Sequence, residues 1–171
     1  MKKYLFMTVM LIAAAMSFTS CGDDEPKDTA TVTAKYNMTF SQDLLKACNV
    51  FITYKAENGR NVMEAVSSST SWSKTVTSNK FPAEFGVMYK FSTKSDAELT
   101  QEQYDLNCDL NFSFTTSKGA SYTKNVTIIG ASGVKKDKVV STLDKYSGKS
   151  TGFRVTKDGD VDPANNLNYD N

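Results

Sequence analysis

The sequence contains no histidine, only three cysteines and one tryptophan, and nearly equal numbers of positive and negative charges. Histidine is the commonest general base and metal ligand, so its absence removes the usual centre of acid–base and metal chemistry. The chain has neither a phosphate-binding glycine loop nor a GxSxG motif. Asp105 and Asp109 are predicted to face outward on one strand about 13 Å apart, too far for a glycosidase pair. The sequence therefore predicts a protein that is not an enzyme and needs no cofactor.

The nearly neutral net charge of the chain bears on whether it binds nucleic acid. Lys and Arg number 20 and Asp and Glu 19 in 171 residues, which gives a formal net charge of +1. No basic stripe is visible along the chain, so nucleic acid is not expected as a partner. A chain of this length is expected to form one domain. Its leaning toward threonine, serine, valine, tyrosine and phenylalanine favours strands.

The N-terminus has the pattern of a secretion signal. Lys2 and Lys3 precede an apolar run over residues 4–16, and Ser17-Phe18-Thr19-Ser20 leads from there to Cys21. The run is shorter than the ~20 apolar residues that a transmembrane helix needs. Residues 1–20 are therefore predicted to be a signal peptide.

The end of this signal carries a resemblance. Phe18-Thr19-Ser20-Cys21 resembles the bacterial lipobox, in which the cysteine becomes the acylated first residue of the mature chain. The resemblance implies a lipoprotein with Cys21 as the lipidation site, palmitate among its acyl chains, and a membrane as a partner through this anchor. Residues 21–29 would be the lipidated cysteine and a polar tether. The alternative is an ordinary signal peptide in which Cys21 is incidental.

The residues after Cys21 extend the resemblance. Asp23-Asp24-Glu25 is similar to the start of many Bacteroidetes lipoproteins, in which such acids direct export to the outer leaflet of the outer membrane. This implies a lipid-anchored protein that faces the cell exterior, with the periplasmic face as the alternative. Asp28-Thr29-Ala30 resembles the O-glycan acceptor motif of the same bacteria, which makes Thr29 a candidate glycan site.

Alternation of apolar and polar residues marks half-buried strands along most of the remaining chain. The predicted strands cover residues 32–40, 48–55, 61–66, 72–77, 85–91, 104–114, 121–129 and 152–157. Asn58-Gly59 predicts a type I′ hairpin turn. Ser41 is predicted to cap a short helical turn over residues 41–47, and apolar spacing over 137–149 predicts one short helix near the C-terminus.

These elements predict an all-β fold. Seven or eight short strands are typical of an antiparallel β-sandwich of Ig-like architecture, which we expect over residues 30–157. Residues 158–171 are polar and acidic and are predicted to be a flexible tail.

The middle of the chain carries a second resemblance. Residues 50–54 before Asn58-Gly59, and residues 72–76 before Phe81-Pro82-Ala83, resemble small Bacteroidetes lipoproteins of unknown function. The resemblance covers residues 30–130 and implies a surface lipoprotein with an Ig-like sandwich domain. It implies no activity and no site residue.

Cys48 and Cys108 are both predicted to face inward. A disulfide between them is compatible with an exported protein. Two buried free thiols are the alternative, because buried cysteine also packs as a small hydrophobe.

Three side chains are candidate ligand contacts. Trp72 could stack on a sugar ring or fill the core, since aromatic side chains serve both roles. Phe51 and Met88 lie on the predicted polar faces of different strands. If they meet, they form an exposed apolar patch, which is typical of a partner site.

The C-terminal tail contains the spacing of a calcium loop. Asp158, Asp160 and Asp162 follow the D-x-D-x-D pattern of an EF-hand, but its sixth and twelfth positions are Pro163 and Tyr169 instead of glycine and glutamate. We therefore expect no metal site, with these three aspartates as a weak calcium candidate in a solvated tail.

Taken together, these features predict a cell-surface lipoprotein that acts as a non-catalytic binding module for a glycan or a protein ligand. The alternative is a structural or accessory subunit of a surface fibre or an outer-membrane complex. Such a subunit would donate or accept a strand at a sheet edge.

Overall fold

The structure is a computed structural model that describes residues 30–96 and 98–170, without the side chain of Asn58. Cys21 and Thr29 therefore lie outside the described residues. The strands are β1 (Val32–Phe40), β2 (Cys48–Lys55), β3 (Asn61–Val66), β4 (Ser71–Ser78), β5 (Ala83–Thr93), β6 (Gln103–Thr116), β7 (Ser121–Lys135), β8 (Lys149–Val155) and β9 (Val161–Pro163). The helices are α1 (Gln42–Ala47) and α2 (Val139–Tyr146). Neither of these helices is long and apolar enough to cross a membrane.

The strands form two antiparallel sheets that pack as a sandwich. One sheet has the order β4-β1-β6-β7 and the other the order β3-β2-β5-β8-β9. The predicted antiparallel sandwich is confirmed, with nine strands in the described part of the chain instead of seven or eight. The two short additions to the prediction are the separate strand β9 and the extension of β7 to Lys135.

The core lies between the sheets and follows the alternation in the sequence. In β1 every second side chain from Val32 to Phe40 is buried, and in β6 the same holds from Tyr104 to Phe114. Burying a large apolar side chain contributes about 1.5–3 kcal/mol, so these two central strands supply much of the drive for folding. The predicted inward faces of both strands are confirmed.

The short helices close the sandwich at its sides. Ser41 caps α1 as predicted, and its hydroxyl accepts a hydrogen bond of 3.2 Å from the amide of Leu44. The C-terminal helix is shorter than the predicted range of 137–149, because a 3₁₀ turn over Lys136–Lys138 precedes it. Its buried residues Val139 and Leu143 pack between β5 of one sheet and β7 of the other.

The connection after β2 differs from its prediction. β2 and β3 form the expected hairpin, with Lys55 opposite Asn61. Their connection is a 3₁₀ turn over Glu57–Gly59, and Gly59 has φ of +78°. A three-residue turn replaces the predicted two-residue type I′ turn, and its last residue, Gly59, has a positive φ that glycine adopts readily.

The C-terminal segment is packed against the five-stranded sheet, where the sequence predicts a flexible tail over residues 158–171. Strand β9 pairs with β8, and Ala164, Leu167 and Tyr169 are buried beyond it. Composition suggested a solvated segment because most of these residues are polar. Their few apolar side chains nevertheless fit the outer face of the sheet, and this burial holds the segment in place.

Candidate interaction surfaces

An apolar patch lies on the outer face of the five-stranded sheet. It is a depression of about 230 Å³, lined by Phe51, Thr53, Met63, Met88 and Lys90 and called the methionine patch below. Thr53 lies opposite Met63 on β3 and opposite Met88 on β5, and Phe51 lies opposite Lys90. The side chain of Met63 is 63% exposed, which is unusual for a large apolar residue. The structure thus brings Phe51 and Met88 together on one surface.

The C-terminal segment covers the same face directly beside this patch. Gly86 of β5 lies opposite Gly152 of β8, and the two glycines form the floor of a groove. A Cβ atom at Gly152 would lie 2.5 Å from Cδ1 of Leu167, and one at Gly86 would collide with the hydroxyl of Tyr169. Side chains at either position would therefore displace the segment. Met88 packs against this buried segment and joins it to the methionine patch.

Polar groups of β2 and β3 hold the backbone of this segment. Lys55 is 5% exposed, and its ammonium group donates hydrogen bonds to the carbonyls of Asn168 and Gly59. The ammonium group also lies 5.4 Å from the centre of the Tyr169 ring, a cation–π distance. Asn61 donates to the carbonyl of Asp170 over 2.9 Å. This face of the sheet therefore holds the chain's own C-terminal segment through backbone carbonyls and apolar side chains.

Trp72 lies at the edge of the core and is 8% exposed. Its indole nitrogen donates to Glu64 over 3.0 Å, and the same carboxylate accepts from Tyr54 and pairs with Lys74 over 2.8 Å. Burial opposes ionisation of Glu64, but the hydrogen bonds from Lys74 and Trp72 outweigh it and lower the pKa of this carboxyl. Trp72 thus links the edge strand β4 of one sheet to the edge strand β3 of the other. Because its ring is buried, it presents no ring face to a sugar.

Cys48 and Cys108 are free thiols in the structure, and both are buried. The thiol of Cys48 donates to the carbonyl of Leu44 over 3.3 Å. Burial raises the pKa of Cys48 to about 12 and also raises the pKa of Cys108. In this structure both side chains therefore pack in the core as small apolar groups.

The three tail aspartates are not brought together as ligands. Asp158 pairs with Lys118 over 3.6 Å, and the carboxylate of Asp160 accepts a hydrogen bond of 3.4 Å from the hydroxyl of Thr156. Asp162 lies in β9 opposite Arg154. Among residues 30–96 and 98–170, no group of three or more acidic or cysteine side chains could hold a metal ion. The calcium spacing of the sequence therefore corresponds to a β-hairpin, β8 to β9, with its turn.

The outer face of the four-stranded sheet carries a regular array of sixteen polar side chains. The array takes four residues from each of four neighbouring strands and is called the polar face below. Its members are Ser71, Ser73, Thr75 and Thr77 of β4, Thr33, Lys35, Asn37 and Thr39 of β1, Asp109, Asn111, Ser113 and Thr115 of β6, and Ser121, Thr123, Asn125 and Thr127 of β7. Only Lys35 and Asp109 among them carry a charge.

Sequence patterns missed part of these surfaces. Met63 lies opposite Thr53 because the hairpin connection is a three-residue turn. The predicted two-residue turn would shift the register by one residue, place Glu64 opposite Thr53 and move Met63 to the other face. The groove beneath Leu167 depends on the pairing of Gly86 with Gly152, which are far apart in the sequence. Local sequence patterns do not predict such a pairing.

No protein-family model matches the chain, and no similar curated protein or solved structure was found.

Proposed function

We propose that this protein is a non-catalytic binding module, held at the cell surface by a lipid on Cys21, that takes an extended segment of a protein ligand on the methionine patch. The observation that carries this proposal is the apolar surface at which the exposed Met63 meets the half-buried Phe51 and Met88. Exposed apolar patches bordered by polar residues mark partner sites. Methionine suits such a site because its flexible, polarisable side chain adapts to different partners.

The C-terminal segment supports a peptide as the ligand. It lies beside the patch on the same face, with Leu167 and Tyr169 buried over two glycines and its carbonyls bound by Lys55 and Asn61. The chain itself thus provides an example of what this face accepts. An extended segment of a ligand beside it would bury its apolar side chains against Met63 and Met88.

The surface location rests on the N-terminal sequence. The lipobox-like Phe18-Thr19-Ser20-Cys21 and the acids that follow it support an acylated, outward-facing anchor. Two or more acyl chains make such an anchor stable, since one chain binds a membrane only reversibly. Anchoring many copies on one surface would raise the effective strength of a weak ligand contact.

The proposal can be tested by selecting peptides from a random phage-displayed library against protein that lacks residues 1–21, which retains every described residue. Enriched peptides are then synthesised and their affinities measured by calorimetry. We expect apolar side chains in the selected peptides. We also expect Met63→Ser to weaken their binding by about tenfold, the loss that corresponds to ~1.4 kcal/mol at a contact residue.

The matched control is Val140→Ser. Val140 is also an exposed apolar residue, 47% exposed, but it lies on α2 away from the patch. Its replacement should leave peptide binding unchanged. Failure to enrich any peptide, or enriched peptides that bind the Met63→Ser variant as tightly as the parent protein, would overturn the proposal.

A further inference from the structure

The polar face lies on the opposite side of the sandwich from the methionine patch and has a different chemistry. Eleven of its sixteen side chains are serine or threonine, three are asparagine, and only two are charged, whereas charged residues make up 23% of the chain. Solvated protein surfaces ordinarily carry about 25–35% charged residues. This face therefore offers hydroxyl and amide groups in place of charge.

Seven of these side chains are held in position by hydrogen bonds to one another. Asn37 donates to Asn111 over 3.5 Å, and Asn111 donates to Asn125, so an amide ladder crosses three strands. Thr33 and Thr77 share a hydrogen bond of 3.0 Å at one end of the face, and Thr127 donates to Asp109 over 2.7 Å at the other. Groups fixed in this way lose little conformational freedom when a ligand arrives, which favours binding.

The face is also concave along its two central strands. A depression of about 300 Å³ lies around Asn37 and Asn111, and a second of about 240 Å³ follows it around Lys35 and Ser113. Successive rows of the array are about 6.8 Å apart, so four rows extend over about 20 Å. Both depressions lie over the two central strands, β1 and β6, and this pair of neighbouring depressions is called the groove below.

We infer that this groove is a binding site for a neutral glycan chain. Sugar hydroxyls both donate and accept hydrogen bonds, as the side chains of asparagine, serine and threonine do. The single Lys35 and the single Asp109 give the face no net charge, so it has no attraction for sulfated or other anionic polymers. No apolar side chain occupies any of its sixteen positions. Of the apolar residues that also line the two depressions, Leu110 and Phe114 are buried in the core and Val126 packs against it. This separates the face from a protein interface with an apolar centre.

The test is affinity electrophoresis of protein that lacks residues 1–21 through gels that contain neutral glucans, mannans or galactans, with heparin as the anionic comparison. We expect retardation in at least one neutral polysaccharide and no dependence on salt. Asn111→Ala should weaken the interaction about three- to tenfold, as expected for losing neutral hydrogen bonds. Thr75→Arg, at an exposed position on the rim of the second depression, should block the groove without touching the core.

The Met63→Ser variant is the control that separates this site from the peptide site, and it should bind the glycan like the parent protein. If the protein binds a glycan but no peptide, only the proposed peptide site is rejected. If it binds a peptide but no glycan, only the inferred glycan site is rejected. Three results would overturn the inference: no retardation in any neutral polysaccharide, retardation only in heparin, or retardation that neither Asn111→Ala nor Thr75→Arg reduces.

Discussion

The hydroxyl of Tyr36, on a central strand of one sheet, accepts a hydrogen bond of 3.1 Å from the backbone amide of Gly86 in the other sheet. It also donates over 3.1 Å to the carbonyl of Lys55 on the strand next to Gly86. The side chain therefore crosses the core and links β2 to β5 just beyond the last register pair between them, Tyr54 with Val87. Burial raises the pKa of this hydroxyl, which keeps it protonated and able to donate.

Replacing Tyr36 with phenylalanine should destabilise the protein by about 1–3 kcal/mol, because two buried backbone groups lose their partner. The measurement is urea denaturation followed by tryptophan fluorescence, since Trp72 lies beside Tyr36 in the core. Tyr122→Phe is the control, because its ring stack on Phe114 is retained. A Tyr36→Phe variant as stable as the parent protein would show that this link between the sheets contributes nothing.

Replacing Gly152 with alanine should release the C-terminal segment from the sheet. The added methyl group would meet Leu167 at 2.5 Å and the carbonyl of Ala164 at 3.0 Å, and the carbonyl belongs to backbone that cannot rotate away. We expect faster amide exchange and faster proteolysis over residues 164–170. Gly130→Ala is the control, since its methyl group meets only the side chain of Thr127, at 3.3 Å. Unchanged exchange in the Gly152→Ala variant would contradict the packing described for the groove.

The two buried thiols should make the protein less stable at alkaline pH. Unfolded cysteine ionises near pH 9.0, whereas burial raises the pKa of Cys48 to about 12. Above about pH 9 the unfolded state therefore loses protons that the folded state keeps. The free energy of unfolding should fall by up to ~1.4 kcal/mol per pH unit for each such thiol.

Urea denaturation between about pH 8 and pH 9 measures this slope while unfolded tyrosines, which ionise near pH 10, are still about nine-tenths protonated. Cys48→Ala is expected to reduce the slope, and thiol titration of unfolded protein without residues 1–21 should return two thiols, from Cys48 and Cys108. A disulfide between them would give no titratable thiol without reductant and no slope of this kind. That result would reject the free-thiol state.

The anchor proposal predicts that Cys21 alone carries the lipid. Cells that express the full chain and are fed labelled palmitate should incorporate label into the protein, and Cys21→Ser should abolish incorporation and release the protein from the membrane fraction. Cys48→Ala serves as the control for cysteine replacement as such, because it leaves the lipobox-like segment intact. Labelled palmitate in the Cys21→Ser protein would place the anchor elsewhere.

Strand faces could be predicted from sequence because the two-residue period is local. In β1 the alternation of Val32, Ala34 and Tyr36 with polar residues was sufficient to tell inside from outside. Such local patterns do not predict that β1 pairs with both β4 and β6, because this pairing depends on contacts between distant segments. The polar face and the groove under Leu167 therefore depend on which strands lie side by side, and local sequence patterns do not predict them. Phe51 and Met88 were recognisable singly, as apolar residues on polar faces, but their meeting depends on the pairing of β2 with β5.

The central claim is that the methionine patch binds a peptide, and the chain is well suited to test it by NMR. Protein without residues 1–21 has three methionines, Met38 in the core and Met63 and Met88 in the patch. Labelled methionine methyl groups would then give one buried and two patch signals. On titration with a selected peptide, the account predicts saturable shifts of the Met63 and Met88 signals and a stationary Met38 signal. Binding that leaves both patch signals in place, or that moves Met38 alone, would contradict it.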